Sequence, residues 1–202
     1  MAQYQANRSL RTRASKRSVY AYAANLSARL NYIPADGELR RIVEEDLRGR
    51  IVYDDPTHWD IEQSGSLIVN SDDTFEITLP NATAVTRDNF TIAHELGHFF
   101  LHALAGNIFS EDNSDSLMQL DEYSIADLGI DANADAIVFA RYDTGELEWE
   151  ANWFAAAFLI PTNALEEAKQ RYSNDLASIA AHFRVSQEVV THRLSYHDES
   201  NI

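Results

Sequence analysis

Residues His94-Glu95-Leu96-Gly97-His98 spell H-E-x-x-H inside the apolar stretch Phe90 to Leu104. On a helix, side chains four residues apart stand about one turn apart on one face. Both imidazoles can therefore reach a single metal ion while Glu95 faces the water beside it. Such a motif requires a helix buried on most sides, and Phe90, Ile92, Ala93, Leu96, Phe99, Phe100 and Leu101 supply the apolar body. Asp88 or Asn89 is expected to cap its N-terminus. Two core histidines held by ordinary hydrogen bonds would explain one lone imidazole better than this pair.

The rest of the chain restricts which metal chemistry is available. With no cysteine, thiolate zinc sites, disulfides and a cysteine nucleophile are all excluded, so any metal must be held by His and carboxylates. At 202 residues and 45% hydrophobic content the chain can bury one sizeable core. It contains no run of 18 consecutive apolar residues, and its basic N-terminus is not followed by an apolar signal segment. Cytoplasmic residence without a membrane partner is the expectation. The net charge of −16 is unevenly spread: no Asp or Glu precedes Asp36, whereas Arg8, Arg11, Arg13, Lys16, Arg17 and Arg29 do. So acidic a body repels nucleic acid, and direct DNA binding would have to rely on the basic arm. A solvated tail, or a strap on the acidic surface, is the simpler reading of that arm.

Periodicity points to an α+β fold. Helices are expected over Ser18 to Asn31 and Gly37 to Arg48, the latter with Leu39, Ile42, Val43 and Leu47 on one side. The period then changes. Ile51-Val52-Tyr53, Ser66 to Val69 and Thr74 to Leu79 are short β-branched or aromatic runs between turn residues, which predicts a small, mostly antiparallel sheet packed on helices. An edge strand of that sheet could pair with an extended substrate. Residues 106–135 are polar and acidic but lack the order of a calcium loop, so they read as an insertion or lid. Ala136 to Ala140 is a further strand or buried segment. The expected organisation is a basic arm over residues 1–17, a compact domain over 18–172 containing that insertion, and a C-terminal helical pair with a tail over 173–202.

A hydrolytic zinc site normally takes three protein ligands and keeps one position open, so H-E-x-x-H needs completion. His102 lies eight residues from His94, about 12 Å along a continuous helix and too far to share the ion. The sequence also lacks the Gly of H-x-x-G-x-x-H, which leaves His102 as a supporting or core-edge residue. The run Glu148 to Pro161 is helical by composition, with Glu148, Asn152 and Ala155 on one face. Glu148 is the expected third ligand and Asn152 the polar group that orients the site. Glu150, two positions on, is the alternative. Tyr142, Tyr123 and His102 are candidates for a second oxyanion donor, with no spacing argument to separate them.

At these residues the chain resembles the ImmA/IrrE-type metallopeptidases. The strings Phe90-Thr91-Ile92-Ala93-His94-Glu95-Leu96-Gly97-His98 and Glu148-x-Glu150-Ala151-Asn152-x-Phe154-Ala155-Ala156 carry the likeness, and Leu176 to Leu194 looks like the family's C-terminal helical pair. The resemblance implies a gluzincin-like domain in which His94, His98 and Glu148 bind Zn²⁺ and Glu95 is the general base. It also implies an intracellular protease that cleaves a helix-turn-helix repressor of the Xre class, relieving repression in a stress or mobile-element response. Two other readings compete: a toxin-like partner of an Xre-type antitoxin with little proteolysis, and a DNA-binding regulator. The last would need base-contacting residues on the second helix of the C-terminal pair, where only Gln187 and Arg193 qualify.

Overall fold

The computed structural model describes residues 15–55, 65–70, 74–81, 83–104, 137–139 and 145–200. The basic arm up to residue 14, the acidic insertion 106–135, Tyr123 and Tyr142 lie outside the described residues. The chain opens with α1 (Lys16–Arg29), whose N-cap Ser15 accepts a hydrogen bond from the Ser18 amide at 3.1 Å. Next comes α2 (Glu38–Arg41), which widens into a π-helical turn over Ile42–Asp46. The apolar side expected there, Leu39, Ile42, Val43 and Leu47, is buried.

Strands β1 (Gly49–Asp54), β2 (Ser66–Val69), β3 (Phe75–Pro80) and β4 (Ile137–Phe139) form one sheet in the order β1-β3-β2-β4. The β2/β3 and β2/β4 ladders are antiparallel, as expected, while β1 runs parallel to β3. The connection between β1 and β2 is long enough to carry the chain across β3, so β1 need not form a hairpin with its successor. Phe75, Ile77 and Leu79 of β3 point into the core in strict alternation.

Helix α3 (Val85–Gly97) continues as a π-helical segment over His98–Leu104. It starts about one turn before the expected caps, with Ala84 extended at the N-cap position. Asp88 therefore lies in the first turn, where a carboxylate favours the helix dipole, and it accepts a hydrogen bond from the Thr83 hydroxyl. Asn89 instead donates to the Arg184 carbonyl at 3.1 Å. Stacking of Phe99 on Phe75, with centroids 4.2 Å apart, fastens the end of this long helix to the sheet.

Helix α4 (Gly145–Leu159) packs against both α1 and α3. Its Ala151, Phe154, Ala155, Ala157 and Phe158 are fully buried, the pattern of a helix enclosed on nearly every side. After Pro161 the chain forms α5 (Thr162–Arg171), α6 (Leu176–Phe183) and α7 (Gln187–Ser200). Helices α6 and α7 are the expected C-terminal pair, and Arg184 makes the break between them by adopting a left-handed conformation, φ 55°. Among the described residues no helix is long and apolar enough to cross a membrane.

Candidate metal centre

The centre lies where α3 and α4 cross, and the crossing depends on Gly97. A Cβ at that position would stand 3.0 Å from the Ala151 Cα, 3.1 Å from the Ala151 carbonyl oxygen and 3.2 Å from the Phe154 Cβ. Glycine thus lets the two backbones approach almost to contact. Ala151 follows Glu148 by less than one turn, so this close crossing carries the Glu148 carboxylate to the two histidines.

His94, His98 and Glu148 converge there. The Nε2 atoms of His94 and His98 are 3.0 Å apart, and the Glu148 oxygens lie 3.2 Å from His94 Nε2 and 3.3 Å from His98 Nε2. Four-coordinate zinc with ligand distances of about 2.0–2.1 Å separates its ligand atoms by roughly 3.3 Å. The triangle is close to that size, and the donor set of two imidazoles and one carboxylate fits a divalent metal ion. Both histidines are buried and Glu148 is partly exposed.

The far side of each imidazole has its own partner. His94 Nδ1 is 3.0 Å from Asn152 Oδ1, as the shared helical face of Glu148 and Asn152 predicts. His98 Nδ1 is 2.9 Å from His102 Nδ1, and His102 Nε2 is 3.0 Å from Glu150 Oε2. His102 and Glu150 are both buried, at 0% and 3% exposure. Glu150, the alternative ligand in the sequence, faces His102 and not the triangle. Glu95 is buried beside Gly65, where a Cβ would come within 2.7 Å of its Oε1 and 2.5 Å of Thr91 Cγ2. Glycine at position 65 thus lets the backbone come close to the Glu95 carboxylate, where a Cβ would require Thr91 and Glu95 to shift.

Electrostatics follow from this enclosure. Burial disfavours the imidazolium at both histidines. At His98 it prevails over the Glu148 hydrogen bond, assisted by His94 and His102, and the pKa falls to about 4. At His94 burial is outweighed by the hydrogen bond to Glu148, the negative charges of Glu95 and Glu148, and the bond to Asn152, so its pKa rises. Burial also opposes the ionised form of Glu148, but hydrogen bonds and charge from the two histidines hold it well below the usual carboxylate range. The triangle thus presents an ionised carboxylate and one imidazole held neutral, which suits a cation.

A cavity of about 600 Å³ is lined by Phe90, Trp149, Asn152 and Trp153 together with Lys16 and Tyr20, and it meets the centre through Asn152, the partner of His94. The C-terminal pair contributes differently from a DNA-reading element. Arg193 is 1% exposed, donates from Nε to the Ile160 carbonyl at 3.0 Å and from Nη2 to Thr162 Oγ1 at 2.8 Å, and lies 4.6 Å from the centre of the Tyr20 ring. It is part of the core, so only Gln187 of the two candidate base-contacting residues remains on the surface. Sequence reasoning singles out neither glycine: the signal available for Gly97 is a small residue inside H-E-x-x-H on a helix that must accept a neighbour, whereas Gly65 carries no such local signal.

A search among curated proteins finds no significant match. Among solved structures, one described as a Mycobacterium tuberculosis transcriptional regulator has a similar fold, with a TM-score of 0.56 and 20% identity. The match covers 91% of this chain and 48% of that chain, so the present sequence spans about half its length. The profile of the IrrE N-terminal-like domain matches residues 51–126 and 129–195, segments that contain His94, Glu95, His98 and Glu148. Since that match takes in more than half of the sequence, the chain belongs to the peptidase family of the IrrE N-terminal-like domain.

Proposed function

We propose that this chain is a zinc-dependent endopeptidase that acts in the cytoplasm on a helix-turn-helix repressor of the Xre type and so relieves repression in a stress or mobile-element response. The observation that carries the reading is the triangle of His94, His98 and Glu148 with the buried Glu95 on the same helix. Membership of a peptidase family supports the reaction class, and the resemblance noted in the sequence supports the substrate class.

In this reading His94, His98 and Glu148 hold the ion. When bound, zinc supplies Lewis acidity that polarises a peptide carbonyl and acidifies water. Glu95 accepts the proton of the attacking water and delivers it to the leaving nitrogen. Burial of Glu95 beneath Gly65 keeps its carboxylate in one position, and Asn152 holds the His94 ring from behind.

The test is co-expression with a candidate Xre-type repressor from the same genome, comparing wild type with Glu95→Gln and Glu148→Ala. Wild type is expected to produce repressor fragments. Glu95→Gln should retain zinc and fold while cleavage falls by at least about 100-fold, in the range of a lost general base. Glu148→Ala should lose zinc. Intact repressor beside a zinc-loaded wild type would overturn the protease reading in favour of a binding partner.

A further inference from the structure

The two ligand histidines are supported in unlike ways, and the difference carries an assignment that does not follow from H-E-x-x-H. His94 leans on Asn152, a neutral amide exposed on the wall of the 600 Å³ cavity. His98 leans on a buried pair, His102 and then Glu150. We infer that His102 and Glu150 are positioning residues that together fix the tautomer and ring orientation of His98 for metal binding. The inference rests on the metal-site reading above.

Contact geometry sets which nitrogen donates at each step. His98 turns Nε2 toward His94 and Glu148, and a nitrogen that ligates a metal carries no proton. The single N–H of neutral His98 must then be on Nδ1. At 2.9 Å it donates to His102 Nδ1, which therefore accepts. The N–H of His102 is left on Nε2, where it donates across 3.0 Å to Glu150 Oε2. With Glu150 Oε2 as the acceptor at the far end, donation runs in one direction along these contacts, from His98 to His102 to Glu150. A carboxylate–histidine pair behind a metal ligand is a known way of orienting it. Here a second imidazole is inserted, and this places the carboxylate on the third residue of the Glu148-Trp149-Glu150 turn. One turn of α4 thus serves the centre twice: Glu148 at the triangle and Glu150 behind it.

The arrangement predicts coupled effects. Without Glu150, His102 loses the carboxylate 3.0 Å from its Nε2, and a proton on its Nδ1 would face the donor of His98. Zinc affinity is measured on the full chain by competition with a chromogenic chelator, for wild type, His102→Phe, Glu150→Met, the double variant and Glu150→Gln. Unfolding of each metal-free variant in denaturant is followed in parallel. Each single loss should weaken zinc binding about 10–100-fold. The double variant should bind no more weakly than the weaker single, because both substitutions interrupt one series. Glu150→Gln keeps an acceptor oxygen and should restore affinity to within a few-fold of wild type. Additive losses, or single variants that bind like wild type, would overturn the assignment. Nitrogen-15 spectra of the zinc-loaded wild type give a check that needs no variant: His98 should be protonated on Nδ1 and His102 on Nε2, and a proton on His102 Nδ1 would refute the series. A wild type that binds no zinc refutes the metal site itself, whereas zinc-binding variants of unchanged affinity refute only the role of His102 and Glu150.

Discussion

At the scale of single residues, the centre is decided by two hydrogen atoms where other residues carry a Cβ. The H-E-x-x-H spacing makes His94, Glu95 and His98 legible from sequence, because helical geometry alone sets their faces. Glu148 and Glu150 are harder to separate there. They differ by two positions, and which one meets the histidines depends on how deeply α3 and α4 interpenetrate, a property of Gly97 against Ala151. Gly97→Ala should therefore separate the helices. A Cβ placed 3.0–3.2 Å from the Ala151 backbone and the Phe154 Cβ must be relieved by backbone movement, because none of these atoms belongs to a flexible chain end. The expected cost is about 1–3 kcal/mol in urea unfolding, as for other overpacked sites. Zinc affinity should fall as well, since the displaced helix carries Glu148. A variant that loses stability yet keeps wild-type affinity would show that the crossing does not govern ligand placement.

At the scale of elements, periodicity finds the helices and strands but not how each is tied to the next. The short strands fall where β-branched and aromatic runs predict them, while the parallel pairing of β1 with β3 follows from a long-range crossing that no local run encodes. The start of α3 differs from expectation for a similar reason. Asp88 and Asn89 are good caps in isolation, but Thr83 and the Arg184 carbonyl take them as partners, so the helix begins earlier. Arg193 is the sharpest case. In the sequence it is one of only two residues of the last helix that qualify as base contacts, yet it binds the Ile160 carbonyl and Thr162 Oγ1 and lies over Tyr20, joining α7, the end of α4 and α1. Arg193→Met should lose the charge-assisted bonds and leave a buried carbonyl without that donor, at a cost of about 1.5–3 kcal/mol read from denaturant midpoints. Gln187→Ala, on the exposed side, should change stability by less than about 0.5 kcal/mol. Equal and small effects of the two would mean that the arginine is not an anchor of the C-terminal pair.

At the scale of the whole molecule, the metal centre and the fold are joined by the same contacts. The histidines come from the helix that stacks on the sheet through Phe99 and Phe75, and the carboxylate comes from the helix packed between α1 and α3. An ion held by His94, His98 and Glu148 therefore links the sheet-bearing half of the core to the helical half, and it binds the native state far better than an unfolded chain in which the three ligands are apart. Mass action then gives the size of the effect. With free zinc at 100 times the dissociation constant, wild type should gain about 2.7 kcal/mol, which for a domain of this size raises Tm by roughly 5–10 °C. Addition of a chelator should return Tm to its metal-free value. Glu148→Ala should begin from a different metal-free Tm and show little response to zinc, because two imidazoles alone hold the ion weakly. His94 binds zinc only after giving up a proton that Glu148 and Glu95 help it retain, so the rise should be smaller at pH 6 than at pH 8. A zinc-induced rise of equal size in wild type and Glu148→Ala would mean that the stabilising ion binds elsewhere, and that the triangle is not the centre about which the two halves of the core are joined.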